Sequence, residues 1–260
     1  MTSTDNTYIL VTGANRGIGY DLVLTLLKRY PNAVIFASAR DPSSANALNE
    51  LASKDSRVHV IKLITDDEGS NKSAVEEIKK VTDRLDIVVA NAGINSPFVP
   101  VHTESTEFYK TNFQVNTLGP LYLYQATYPL LIETRTDSST LPPPKFFITS
   151  SMVGSTGGVP ALYVNGSYGA SKAAVNHIAS AIHHQTEKAG AVVIPYHPGP
   201  VDTDMARKTA GEMGFQPEKI PGAISAEQCG NEYADLIVKA TRAEHGGKFW
   251  AQGFAEPIPW

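Results

Sequence analysis

Cysteine is almost absent: Cys229 is the only one in the chain, so no internal disulfide is available. A lone thiol excludes a disulfide-stapled secreted scaffold and makes a reducing compartment, the cytoplasm, the simplest setting. No apolar run approaches the ~18 residues of a membrane span, so no membrane association is expected. Residues Met1 to Tyr8 lack a basic stretch followed by an apolar one, and no secretory signal is expected. Charge is also scarce. Only 18 % of the 260 residues are charged, the net charge is −4, and no Lys/Arg-rich run occurs, so nucleic acid is not an expected partner. Hydrophobic residues reach 42 %, enough for one large core and too many for disorder.

Short apolar runs recur at Tyr8–Thr12, Val34–Ser38, Val58–Leu63, Ile87–Ala90, Phe146–Ser150, Val192–His197 and Phe249–Gln252. Most are apolar throughout rather than alternating, as in strands covered on both faces of a parallel sheet. The spacers read as helices. Ile18–Arg29 carries a stripe of Ile18, Leu22, Leu26 and Leu27, and Ala74–Asp83 a weaker one. Tyr168–Lys188 is long and Ala-rich, with Gly190 as its expected cap. No linker or repeat divides the chain. The alternation predicts an α/β fold with a doubly wound parallel sheet of seven strands. Two stretches read as irregular, Asp137–Pro144 and the Gly- and Pro-containing Arg207–Pro221. The second follows a strand end, where ligands of such sheets bind. A substrate-covering segment is therefore expected at about 204–222.

The first strand runs straight into Gly13-Ala14-Asn15-Arg16-Gly17-Ile18-Gly19 and then a helix. Glycines let a backbone approach a pyrophosphate, and the helix N-terminus stabilises its charge. The second strand ends in Ala39-Arg40-Asp41. At that point an acidic side chain binds a ribose hydroxyl, whereas an arginine accepts a 2′-phosphate. Arg40, with Arg16 as a second cation, points to NADP(H). Asp41 is free to pair with Arg40, and both arginines fit ordinary surface charge, so NAD(H) stays open.

Tyr168 and Lys172 are four residues apart and share a helix face. A phenol titrates near ~10, and moving a proton at neutral pH requires about 4 kcal/mol of help. One cation at ~4 Å supplies roughly that at an effective dielectric of ~20. Ser151 follows the fifth strand, where a hydroxyl can polarise a carbonyl. Asn116 reads as a buried helix asparagine holding a structural bond or a water. His183 and His184, adjacent in one helix, face different ways and lack recurring partners, so no metal is expected. Cys229 and His197 read as packing residues.

Taken together and in order, Thr12 through Gly19, Asn91-Ala92-Gly93, Asn116, Ser151, Tyr168-x-x-x-Lys172 and Pro198-Gly199 before Thr203 resemble the classical short-chain dehydrogenase/reductase family. The resemblance covers essentially the whole chain. Val34 to Arg40 and the closing Pro257-Ile258-Pro259-Trp260 are similar to fungal ketoreductases and sniffer-like carbonyl reductases. The family implies one NAD(P)-binding Rossmann domain over residues 1–260. It makes Tyr168 the general acid–base, Lys172 the group that lowers its pKa and holds the nicotinamide ribose, and Ser151 the carbonyl-orienting hydroxyl. Asn116 would hold a relay water. Asn91, Ala92 and Gly93 would line the adenosine side, and Pro198, Gly199, Val201 and Thr203 the nicotinamide or pyrophosphate side. The family's acidic adenine contact after strand three is replaced by Ile64, with Asp66 close behind. The gap from Ser151 to Tyr168 is longer than usual, adding a loop around Val159–Gly166. Tyr163, Val164, Met205 and parts of Ile94–Phe98 are expected in the substrate pocket. The implied activity is reversible reduction of an aldehyde or ketone to the alcohol, by a homo-oligomer (dimer or tetramer). An NAD-dependent alcohol or hydroxysteroid dehydrogenase is the second reading. A non-catalytic dinucleotide sensor is the third.

Overall fold

The computed structural model describes residues 6–135, 140–158, 165–212, 222–253 and 255–260. In chain order the elements are β1 (Thr7–Val11), α1 (Gly17–Arg29), β2 (Ala33–Ala39), α2 (Asn46–Lys54), β3 (Val58–Lys62), α3 (Glu68–Lys79) and β4 (Ile87–Ala90). Then come α4 (Thr106–Asn112), a π-helical turn over Phe113–Leu118, α5 (Gly119–Leu131), β5 (Lys145–Thr149) and α6 (Gly166–Gln185). The chain closes with β6 (Val192–His197), β7 (Val201–Asp202), α7 (Asp204–Glu212), β8 (Ile224–Ser225), α8 (Ala226–Lys239) and β9 (Trp250–Ala251).

Strand side chains alternate between faces, so a strand covered on both sides must be apolar at every position. The central strands largely follow this, with buried Ser38 of β2 an exception. Ile9 and Val11 enter one core with α1 and α8, while Leu10 between them enters the other with α3, α5 and α6. Ile35 and Ala37 alternate with Phe36 in the same way, and Phe147 with Phe146 and Ile148. Seven strands form one parallel sheet in the order β3-β2-β1-β4-β5-β6-β9. Between β1 and β4 the winding reverses, which opens a crevice at their carboxyl ends. β7 and β8 make a separate small ladder beside that crevice.

All seven expected strands are present, each within one residue at either end of its expected span. Helix boundaries differ more. α3 begins at Glu68, six residues before the expected Ala74, because the Asp67 carboxylate accepts the Ser70 N–H and starts the helix there. α6 closes at Thr186, whose N–H reaches the Ile182 carbonyl; Gly190 (φ 65°) serves the next turn rather than the cap. The expected irregular stretch Arg207–Pro221 opens inside α7; residues 213–221 lie outside the described residues. The sequence reading placed no helix at α2, α4 or α5. In α5 the apolar pattern is interrupted by Pro120 and Pro129, but Pro120 falls in the first turn, where its missing N–H is no loss.

α1 and α8 cross at Gly230, where a methyl group would lie 2.9 Å from the Asp21 carbonyl carbon and 3.0 Å from the Leu22 nitrogen. Backbone atoms cannot yield as a side chain end can. Gly230→Ala is expected to destabilise the fold by about 1–3 kcal/mol despite its better helix propensity. A urea titration showing equal or greater stability would contradict this packing.

Candidate active site

A cavity of about 660 Å³ opens at the β1/β4 crevice. Its floor is the turn after β1. Gly13 and Gly17 have φ of 62° and 55°, a region that disfavours side chains. At Gly19 a methyl group would collide with the Gly13 carbonyl oxygen and lie 2.6 Å from Asn91 Nδ2. The turn therefore packs backbone against backbone. Asn15, Arg16 and Ile18 complete this floor.

Thr12 and Asn91 hold the crevice together. The Thr12 hydroxyl accepts the Asn91 N–H at 3.0 Å and the Ala92 N–H at 3.1 Å. The Asn91 amide donates to the Thr12 carbonyl at 3.0 Å, and its oxygen accepts from Thr149 Oγ1 at 3.3 Å. One side chain thus ties the ends of β1, β4 and β5, and Ala92 and Gly93 continue along the cavity wall.

Helix α1 starts without a side-chain cap, whereas Asp67, Asn165 and Ser225 cap α3, α6 and α8. An uncapped helix start with glycine backbone along a cavity is suited to an anion. Arg40 lies exposed at the far end of the cavity and makes no ion pair among the described residues. Asp41 does not engage it. Its carboxylate accepts the Ser43 hydroxyl at 2.6 Å and the Ser43 N–H at 3.0 Å, and these bonds hold it below the usual carboxylate range. Arg16 meets Asp204 of α7 at 3.1 Å across the mouth, both side chains largely exposed.

At the other end, Tyr168 and Lys172 project from the first two turns of α6 into the same cavity. Lys172 is 4 % exposed; its ammonium donates to the Thr149 carbonyl at 2.8 Å and stands 5.6 Å from the centre of the Tyr168 ring. Burial brings Lys172 down to about 8. Burial also pushes the Tyr168 phenol up to about 12, opposed by a hydrogen bond with the Ser151 side chain. The Lys172 ammonium, bonded to the Thr149 carbonyl, does not figure among the causes of that shift.

The other expected site residues divide. Pro198 and Thr203 line the cavity. Val201 does not: it is buried in the small ladder against Ile224. Gly199 turns the chain beside Gln252 with φ 75°. Asn116 lies behind the wall, where its oxygen accepts the Ile94 N–H at 2.9 Å and its amide donates to the Ile94 carbonyl at 3.0 Å. It sits in the π-helical turn, a distortion frequent at functional sites. Ile64 donates its N–H to Ser70 and leaves the cavity to Thr65 and Asp66. Met205 and Ile94 do line it, while Tyr163 and Val164, with most of the loop Val159–Gly166, lie outside the described residues.

A family model described as short chain dehydrogenase matches residues 7–213. The chain belongs to the short chain dehydrogenase family. This dehydrogenase is 37 % identical over 256 residues, 96 % of each chain, to the uncharacterized oxidoreductase C24B10.20 of Schizosaccharomyces pombe. It is 31 % identical to the norsolorinic acid ketoreductase nor1 of Dothistroma septosporum, covering 98 % of this chain and 92 % of that one. Among solved structures, carbonyl reductase Sniffer of D. melanogaster has a TM-score of 0.84 at 25 % identity, covering 98 % of this chain and 100 % of its own. An NADPH-bound carbonyl reductase from chicken fatty liver has a TM-score of 0.84 at 26 % identity, covering 97 % and 94 %.

Sequence reasoning missed Thr149, Ser150, Thr65, Val115 and Asp202 in the dehydrogenase cavity. All but Val115 stand at or just beyond strand ends, the signal that would have found them. Burial pushes the Cys229 thiol up to about 12 and brings the His197 imidazole down to about 4. His183 and His184 touch edge to face, and His183 also meets Arg242.

Lys172 carries a stability consequence. Its folded value of about 8 lies below its ordinary 10.5, so between those values the folded chain binds fewer protons than the unfolded one. Folding therefore strengthens as pH rises through that window, and below about 8 the full cost of the buried charge is present. Lys172→Met is expected to stabilise the protein by about 1–3 kcal/mol at pH 7 and to flatten the rise above pH 8. Lower stability of the variant at pH 7 would show that the bond to Thr149 outweighs burial.

Proposed function

We propose that this dehydrogenase reduces small aldehydes or ketones to alcohols, reversibly, with NADP(H). The observation that carries the reading is a single cavity running from Arg40, past the glycine turn and the uncapped start of α1, to Tyr168 and Lys172. The carbonyl reductase and ketoreductase likenesses support it. The residues fit a nicotinamide dinucleotide: glycine backbone and a free helix start for the pyrophosphate, and Arg40 for a 2′-phosphate. When bound, the cofactor supplies the hydride that reaches the carbonyl carbon.

The chain's own groups do the rest. Tyr168 Oη, already hydrogen-bonded to Ser151, gives its proton to the carbonyl oxygen, and Ser151 donates to the same oxygen. A phenol held near 12 stays protonated through neutral pH, as an acid must. Lys172 remains charged below about 8 and favours the phenolate left after transfer. Asn116 anchors Ile94 and with it the wall beside Lys172. Met205 of α7 and Ile94 give the pocket an apolar side suited to an uncharged carbonyl compound. α7 is read as the start of a segment at about 204–222 that covers the site.

A panel of carbonyl compounds assayed by NADPH absorbance tests the reading. Tyr168→Phe is expected to lose at least ~100-fold in kcat with cofactor affinity retained. Near-normal turnover in the folded variant would remove Tyr168 as the acid. For cofactor choice, the parent enzyme is expected to favour NADPH by roughly 10- to 100-fold in kcat/KM, and Arg40→Ala to lose most of that preference. A parent that prefers NADH would return the arginines to ordinary surface charge.

A further inference from the structure

Tyr168 occupies the first turn of α6, where a helix frays most readily because its leading N–H groups have no partner within the helix. Two side chains stop this end. Asn165 accepts the Tyr168 N–H at 3.0 Å, as an ordinary N-cap does. The second comes from far along the chain. Glu104, 8 % exposed, accepts the Ser167 N–H at 3.2 Å with one carboxylate oxygen and at 3.3 Å with the other. It also accepts the Ser167 hydroxyl in a short bond and the Tyr109 hydroxyl. A methyl group on Gly166 would collide with both Glu104 Oε2 and Tyr109 Oη, so the carboxylate is pressed against the helix start.

The capping extends into a buried network. Asn112, fully buried, donates to Ser167 Oγ at 3.1 Å, and its oxygen accepts the Asn116 amide at 3.1 Å. Asn116 in turn donates to Ser171 Oγ at 3.1 Å on the next turn of α6. Asn165 also donates to the Ser96 carbonyl at 3.0 Å. Two successive turns of α6 are thus fixed from Glu104, Asn112 and Asn116. Lys172 is held independently, through Thr149.

We propose that Glu104 is a positioning residue for Tyr168: its buried carboxylate caps α6 from outside and fixes the turn that carries the phenol. The proposal rests on the proton-donor reading above. Charge and geometry both favour it. A carboxylate at a helix N-terminus meets the positive end of the helix dipole and accepts charge-assisted bonds. Without it, Ser167 has two buried donors unmatched and the first turn loosens. An acid displaced by about 1 Å can lose on the order of 100-fold in rate. Cofactor affinity depends on groups held elsewhere and should not follow.

The experiment compares Glu104→Ala, Glu104→Gln and Ser167→Ala with the parent, measuring kcat, NADPH dissociation by fluorescence, and amide hydrogen exchange at residues 167–169. Glu104→Ala is expected to lower kcat at least about tenfold, leave NADPH affinity within about twofold, and speed exchange at those amides. Glu104→Gln keeps an acceptor for the N–H and should recover kcat to within about threefold of the parent. If Glu104→Ala does not fold, the other two variants decide: Ser167→Ala should show the same split between rate and affinity, in smaller measure. Unchanged kcat in Glu104→Ala would overturn the proposal. So would rate and NADPH affinity falling together, or unaltered exchange. If the parent turns over no carbonyl compound, the functional reading fails, and the exchange measurements still decide the cap.

Discussion

The sheet is apolar on both faces, and this constraint governs where chemistry can occur. Helices cover each side, so no polar group can act from the middle of a strand without an unmatched burial cost. Functional atoms are driven to the carboxyl ends, where the backbone leaves the sheet. The reversal of winding between β1 and β4 separates the connections there and leaves one opening. Asn91 keeps that opening at its set width by bonding to Thr12 of the first turn and to Thr149 at the end of β5. The same Thr149 offers its carbonyl to Lys172. The glycine turn and the Tyr–Lys helix, more than a hundred residues apart in sequence, are therefore coupled through one strand end.

Burial is costly for the groups it collects. Lys145 and Lys172 are both brought down to about 8 by desolvation. Their settings differ. Lys145 donates to the Ile237 and Val238 carbonyls, matching the unpaired end of α8, and lies outside the cavity. That is a structural cap with a favourable helix-dipole contact. Lys172 lies in the cavity beside a phenol. A depressed lysine is thus no mark of catalysis by itself.

Much of this was legible in the sequence because the relevant signals are local. Continuous apolar runs located every strand of the central sheet. The glycine turn and the Tyr168–Lys172 spacing each lie within a few residues, so chain geometry alone brought their members together. Val201 and Asn116 were harder. Val201 follows Pro198-Gly199 closely but pairs with Ile224 in a ladder that no periodicity announces. Asn116 lies in a π-helical turn, invisible to an apolar stripe, and is bonded to the Ile94 backbone behind the cavity wall. Glu104 carried no signal at all. Its partner Ser167 is 63 residues away, and a carboxylate in a polar turn reads as solvated until the fold buries it.

The two arginines that looked alike in sequence are not equivalent in place. Arg16 already has Asp204 at 3.1 Å, so any phosphate contact it makes must displace a carboxylate. Giving up an exposed pair of this kind costs about 0–1 kcal/mol, so a phosphate contact at Arg16 is weakened by that much and no more. Arg40 has no such partner among the described residues, and Asp41 is committed to Ser43. A guanidinium that gives nothing up gains the whole of a charge-assisted contact, on the order of 1.5–3 kcal/mol. Of the two, Arg40 is the better placed to gain from an added phosphate. Arg16 instead bridges the glycine turn to α7 across the cavity mouth.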